Sequence, residues 1–420
     1  MASVIKSKQG NMIIDSTGVD SILEFKENGI PKFTSQDLLN NLNDVNILKE
    51  KPLKFDKTVT VGNSGDYGSI NEALEALSEY FPLYKAGGVN VEIKLLAGFV
   101  MREQVIVNGI DLGFITITGE DDETVISRES LTFKVSDLID EDPDERYPAF
   151  SAIRGATLPK IGQLFNMDTT GEDGKEYNGL FAINNSNILV LPYCGVKNAS
   201  AYGALIYIGS KMVAHYGIFT GCGKYGIRVI RSSILEARYV DVSNSYIGIR
   251  VDYASTAQID SSIGNDCDYA GLYIKNASIV SAYSSSYKNS GVLGVYFISS
   301  HGDISLSDIT DSGTYGLSST YGSIVNATSV NVSGAGSYGA RAYKNSILNI
   351  SSGVSRNCGS LSIVAERGCY INANETDCQS NGDNEYYVGD TGIIDISGYT
   401  GDARTNVSTN SWSASGAINN

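Results

Sequence analysis

Beyond residue 178, apolar and polar side chains alternate in short runs, as in "YGIRVI" at 225–230 and "AGLYI" at 270–274. Period-two alternation over so few residues predicts β-strands rather than helices. The runs also recur. "YGIRVIRSSI" at 225–234 is followed 22 residues later by "IGIRVDYAST" at 247–256. With the Gly of this motif as a marker, the series reads Gly203, Gly226, Gly248, Gly271, Gly294, Gly316 and Gly339, at steps of 22 or 23 residues. Gly179 precedes the series and Ser362 occupies the next slot. A constant step of this length marks a repeat architecture.

Each unit has the same internal order. The marker opens an alternating run, such as Ile227 and Val229 or Leu272 and Ile274. A second apolar run follows, often beginning Ser-Ile, as at Ser233-Ile234, Ser278-Ile279, Ser323-Ile324 and Ser346-Ile347. A third run, such as Val240 and Val242, completes the unit. Three short strands in 22 or 23 residues predict one coil of a right-handed parallel β-helix, an all-β fold. The Leu/Asn pattern of a leucine-rich repeat is absent. One coil cannot bury its inward side chains alone. Stacked coils, about 4.8 Å apart, pair their backbones and bury a continuous core. Equivalent positions then form columns, and the marker column takes Gly for close backbone approach or a positive φ.

The first third reads differently. "YGSINEALEALSEYF" at 67–81 opens with a capping-box pair, Ser69 and Glu72, and sets Ile70, Ala73, Leu74 and Leu77 on one helical face. This predicts a helix covering the open end of the β-helix, followed by the first coils. "SILEFKENGIPKF" alternates around Asn28-Gly29, a hairpin signal of type I′. Residues 34–48 read as a short helix or linker, the acidic stretch 136–147 as a solvated loop, and the polar tail as a cover for the last coil or an extension from it.

Composition narrows the function. The formal net charge of −16 disfavours phosphate backbones and anionic membrane surfaces. No stretch reaches the roughly 18 apolar residues of a membrane span. The opening "MASVIKSKQGNMIID" lacks a signal-peptide core, so export by the usual route is not expected. Six Cys include no CxxC pair, which argues against zinc. Cys222, Cys267 and Cys358 fall nineteen residues after their markers, in a column shared with Ser245 and Ser290, and read as buried thiols. No metal or cofactor is expected.

The stretch "DYGSINEALEAL…VNVEIKLLAGFVMREQVIV" and the YGI-type coils after it resemble bacteriophage tailspike and tail-fibre proteins of the pectate-lyase-like superfamily. The resemblance implies a virion-attachment module and linker over 1–55 and a capping helix with first coils over 56–128. It further implies irregular coils with the acidic loop over 129–178, a regular β-helix over 179–397, and a C-terminal cap or tail over 398–420. It also implies a homotrimer, joined to a phage tail or baseplate protein by its N-terminus, that binds a bacterial surface polysaccharide at the host cell. Such proteins often cleave that polymer, as glycoside hydrolases or polysaccharide lyases; a non-catalytic adhesin and a purely structural virion component are the alternatives. The calcium-dependent pectate-lyase motifs, WxDH and RxPxxR, are absent, so no catalytic residue carries over.

Candidate chemistry comes from the columns. Two residues past the marker stand Leu205, Arg228, Arg250, Tyr273, Tyr296, Ser318 and Arg341; four past stand Tyr207, Ile230, Asp252, Lys275, Ile298, Thr320 and Tyr343. Arg228, Arg250, Asp252, Tyr273, Lys275 and Tyr296 are thereby expected to form one exposed patch. Rings suit the apolar faces of sugars, and charged groups suit hydroxyls or a uronate. An ordinary solvated ladder with cross-strand ion pairs fits the same residues. In the second run, Glu236 and Asp260 differ by one coil and two residues, placing their α-carbons roughly 8 Å apart. That suits the acid and base of an inverting glycosidase, with Asp252 as a substitute. A lyase would use Lys275 or Tyr273 as base and Arg250 to neutralise a uronate. His215 and His301 are the only histidines and read as structural or solvated.

Overall fold

A computed structural model describes residues 3–7, 10–14, 24–27, 30–34, 51–84, 88–138, 146–168, 174–382, 384–396, 407–409 and 417–419. The chain divides into two compact units: Met1–Asp56 with Leu74–Val89, and Lys57–Ala73 with Asn90–Asn420.

In the first unit, Ser3–Ser7 pairs antiparallel with Gly10–Ile14, and Glu24–Glu27 with Ile30–Thr34. Glu27 stands opposite Ile30, so the strands flank the expected Asn28-Gly29 turn, whose two residues lie outside the described ones. The expected helix or linker over 34–48 also lies outside them beyond Thr34, as does most of the acidic loop. Lys51–Leu53 pairs in parallel with Tyr80–Pro82.

The second unit is a parallel β-helix. Its largest sheet has 13 strands, from Val105–Asn108 to Val407–Thr409, each hydrogen-bonded to its equivalent in the next coil. A second sheet of 11 short strands runs from Asn187–Leu189 to Ala417–Asn419. Two four-stranded sheets complete the first coils. The strands Val407–Thr409 and Ala417–Asn419 pair onto Asn384–Gly389 and Ile393–Asp395, so the described parts of the tail continue the ladder.

The third strand of the regular coils differs from expectation. It shrinks to one bridging residue per coil: Ile218, Asp241, Ile263, Ser286, Asp308, Asn331, Val354 and Asp377. The backbone explains why. Left-handed residues close in on both sides, Tyr239 (φ 59°) before Asp241 and Asn244 (φ 58°) after it, leaving little extended chain. Val240 and Val242 still point into the core.

Inward columns stack as the pattern predicts. Ile227, Ile249, Leu272, Val295 and Leu317 pair in register and have no accessible surface. None of the marker glycines from Gly203 to Gly339 has positive φ; the constraint is space. A Cβ on Gly271 would sit 2.7 Å from Tyr287 Cβ and 2.9 Å from the Gly264 carbonyl. Faces of one coil also exchange volume. Phe297 fills the space where a Cβ on Gly302 would lie, 2.5 Å from Phe297 Cε1.

The Ser-Ile signature has two separate causes. The serines form a buried column in which a backbone N–H can donate to the hydroxyl one coil on, as Ser233 does to Ser255 at 3.3 Å and Ser278 to Ser300 at 3.3 Å, while Ser346 donates to the Cys369 thiol at 3.2 Å. Each hydroxyl can return a bond to its own coil, as Ser233 Oγ does to the Ile230 carbonyl at 2.8 Å. The isoleucines instead face outward, and Ile279 is 55% exposed.

The helix Ile70–Ser78 buries Ile70, Ala73, Leu74 and Leu77, as its pattern predicts. Ser69 Oγ accepts from Glu72 N–H at 3.2 Å, and Glu72 reaches back to Gly68 N–H at 2.8 Å. Glu103 adds a cap from a later coil, accepting from Ile70 N–H at 2.6 Å and Asn71 N–H at 3.0 Å. Burial pushes its carboxyl up in pKa, opposed by those two bonds.

Cys222, Cys267 and Cys358 are buried thiols, as expected; Cys369 and Cys378 are buried as well, and Cys194 is half-buried. Burial pushes Cys222, Cys267 and Cys378 up to about 12, which leaves little thiolate for nucleophilic chemistry.

Candidate functional site

The largest sheet brings the proposed columns together. Leu205, Arg228, Arg250, Tyr273, Tyr296, Ser318 and Arg341 pair successively in register. Ile230 pairs with Asp252, and Lys275 with Ile298. Arg228, Arg250, Tyr273, Lys275 and Tyr296 are each partly exposed.

Asp252 departs from the expected exposed patch: its side chain has 0% accessible surface. It lies where the strand Ile247–Asp252 ends in the left-handed residues Tyr253 and Ala254, and three long cations enclose it. Arg250 Nε donates to Asp252 Oδ2 at 2.7 Å. Arg228 approaches the same oxygen to 3.7 Å from the preceding coil, and Lys275 approaches Oδ1 to 3.8 Å from the next. Such a carboxylate is a buried counterion, out of reach of a substrate proton.

Tyrosines hold the guanidinium groups in place. Arg250 donates to Tyr225 Oη at 2.6 Å and Arg228 to Tyr202 Oη at 3.1 Å. Arg250 also lies over the rings of Tyr225 and Tyr273, 5.3 and 5.4 Å from their centres. Tyr273 meets Tyr296 edge-on at 5.3 Å. Burial, then the neighbouring phenols Tyr269 and Tyr296, push Tyr273 up to about 12, so it stays protonated at neutral pH and is no ready base.

Glu236 and Asp260 stand in successive coils on the second face. Lys211 donates to Glu236 at 2.8 Å, and that bond holds the carboxyl below its ordinary pKa range. Asp260 accepts from Ser281 Oγ at 2.6 Å and Tyr283 N–H at 3.2 Å, with Arg238 Nε 3.7 Å away. Glu236 is thus stabilised as an anion; a general acid needs the opposite environment. His215 Nδ1 accepts from Arg238 N–H at 3.1 Å, a structural bond. His301 lies in the outward column between Ile279 and Ile324.

Several aromatic ladders were not singled out from sequence. Tyr216 and Tyr239 stack at 4.6 Å with planes 5° apart, and Tyr193 adjoins Tyr216 at 5.8 Å. Tyr202 stacks on Tyr225, Tyr246 on Tyr269 and Tyr315 on Tyr338. Their recurrence at 23-residue steps was the available signal. A second cationic cluster surrounds Tyr343, with Arg341, Lys344 and Arg367 each within 5.3 Å of its centre. There Glu366 accepts two bonds from Arg341, at 3.0 and 2.8 Å. Among the described residues, no three or more His, Cys, Asp or Glu side chains gather as a metal site, and no helix is long and apolar enough to cross a membrane.

No family model matches the chain, and no curated protein matches it. Similar solved structures include the Dettilon tailspike protein, with a TM-score of 0.47 and 10% identity over 71% of this chain. The matched region spans 62% of that tailspike, less than two thirds of its length. A T265N mutant of the periplasmic alginate epimerase AlgG has a TM-score of 0.42 and 11% identity, covering 90% of this chain and 87% of its own. The mannuronan C-5 epimerase AlgE4 A-module of Azotobacter vinelandii has a TM-score of 0.42 and 11% identity, covering 84% of this chain and 95% of its own.

Proposed function

We propose that the protein is a phage tailspike or tail-fibre receptor-binding protein that holds a bacterial surface polysaccharide on the outward face of its largest sheet. One observation carries this reading: successive coils align Arg228, Arg250, Tyr273 and Tyr296 into a partly exposed column of cations and rings. Rings offer flat apolar surfaces to sugar faces, and guanidinium and ammonium groups offer donors to hydroxyls and anions. A column repeated coil by coil suits a repeating polymer. The protein would act in the virion, at the host surface, attached through residues 1–55 to a tail or baseplate protein.

Depolymerisation is the second reading. It rests on Glu236 and Asp260 standing in successive coils. The two readings part on incubation with purified host polysaccharide. The binding reading expects retention of the polymer with no new reducing ends and no absorbance from unsaturated uronate. New ends that disappear in Glu236→Gln or Asp260→Asn establish the hydrolase. Absence of binding to the polysaccharide of any susceptible host rejects both.

The reading includes a homotrimer. Its support is a second outward column, in which Ile234, Thr256, Ile279, His301, Ile324, Ile347 and Tyr370 pair in register. Ile234, Ile279, Ile324 and Ile347 are exposed, and the column carries no carboxylate in a chain of net charge −16. Copies of an acidic chain meet with least repulsion along such a line, and exposed apolar patches mark interfaces. Sedimentation is expected to give three times the chain mass, falling to one in Ile279→Asp/Ile324→Asp. A wild-type mass of one chain removes the trimer.

A further inference from the structure

The cluster around Asp252 carries more positive charge than its partners neutralise. Arg228, Arg250 and Lys275 surround a single carboxylate. Arg250 is fully engaged, between Asp252, Tyr225 and the Tyr273 ring. Arg228 bonds Tyr202, while its Nε is buried with no partner. Lys275 is the least satisfied. Its Nζ lies 3.8 Å from Asp252 Oδ1, beyond hydrogen-bond distance, and Asp252 Oδ1 itself has no hydrogen bond. The Lys275 side chain keeps 23% of its surface exposed, so its donors reach solvent.

Among the described residues, Asp252 is the only anion that acts on Lys275. Tyr273 and Tyr269 are both pushed up in pKa, first by burial, and remain neutral phenols. The neighbouring coils place Tyr207, Ile230, Ile298 and Thr320 in the Lys275 column, none of them acidic. Burial and then Arg250 lower the pKa of Lys275 despite the pull of Asp252. A local positive site on a chain of net charge −16 selects strongly for where a polyanion can land.

We propose that the polymer held on this face is an acidic polysaccharide, and that one of its carboxylates seats against Lys275 and the Arg228 guanidinium. This rests on the glycan-binding reading above and adds its chemical class. The incoming carboxylate accepts from Lys275 Nζ and takes the place of water, while the rings of Tyr273 and Tyr296 pack against the sugar carrying it. No covalent step is involved.

The test uses the full-length chain and the purified surface polysaccharide of a strain to which it binds, before and after chemical reduction of the polymer's carboxylates to alcohols. Titration calorimetry is expected to show at least tenfold weaker binding to the reduced polymer, and a binding constant for the native polymer that falls as salt rises. Lys275→Met is expected to lose at least tenfold on the native polymer and little on the reduced one. Lys275→Arg, which keeps the charge, retains most of the affinity. Melting curves of both variants confirm that the fold persists. Equal affinity for native and reduced polymer, a bound polymer that contains no carboxylate, or a Lys275→Met variant that binds normally overturns this inference and leaves the glycan-binding reading standing. Failure to bind any host polysaccharide removes both.

Discussion

Asp252→Ala is expected to destabilise the protein by about 3–5 kcal/mol, because it strands cations that now share one buried counterion. The side chain is wholly inaccessible, so water cannot take its place without rearrangement. The effect belongs to folding: denaturant midpoints should drop. Coupling identifies the cause. Adding Lys275→Met to Asp252→Ala removes one of the stranded charges, so the double variant should be more stable than the sum of the single losses predicts. A loss under about 1 kcal/mol would place the cluster with ordinary surface pairs. That result would reopen Asp252 as a group available to substrate.

Gly271→Val is expected to destabilise more than Gly271→Ala, by about 3 kcal/mol or more against about 1–3 kcal/mol. Both changes press a side chain into the gap between Tyr287, a fully buried ring, and the Gly264 carbonyl. Gly322 provides the contrast. Its φ is +77° and nothing lies within 4 Å of a Cβ built there. Gly322→Ala should therefore incur only the left-handed backbone penalty, about 1–2 kcal/mol. Chemical denaturation of the three variants checks the order. If Gly271→Ala is no worse than Gly322→Ala, close approach is not what keeps glycine in the marker column.

The β-helix was legible because its determinants are local and repeated. Alternation placed Ile227 and Ile249 inward, and the constant step placed Arg228 beside Arg250 without any knowledge of the fold. The helix Ile70–Ser78 was legible through its apolar face and Ser69. What escaped depends on atoms from other coils. Glu103 caps the helix from 33 residues away, a distance no capping motif encodes. The burial of Asp252 requires Arg228, Arg250 and Lys275 to converge from three coils; a column listing shows their adjacency but not their side-chain directions. The third strand failed for a backbone reason, since left-handed turn residues such as Tyr239 and Asn244 carry no strong mark in sequence. The Ser-Ile pairs read as the opening of an apolar run, yet the polar residue turns in to hydrogen-bond and the apolar one out to solvent.

The exchange of volume between Phe297 and Gly302 limits how this chain can gain or lose length. Since each coil touches mainly its neighbours, removing or duplicating a stretch of one period restores every column and leaves the stack closed. A cut between residues 297 and 302 would not. It would join a bulky ring to a coil without the gap it needs, or leave a gap with nothing to fill it. Recombination between related genes should therefore find tolerated breakpoints at the left-handed corners such as Asn244 or Asn289 rather than between these two residues.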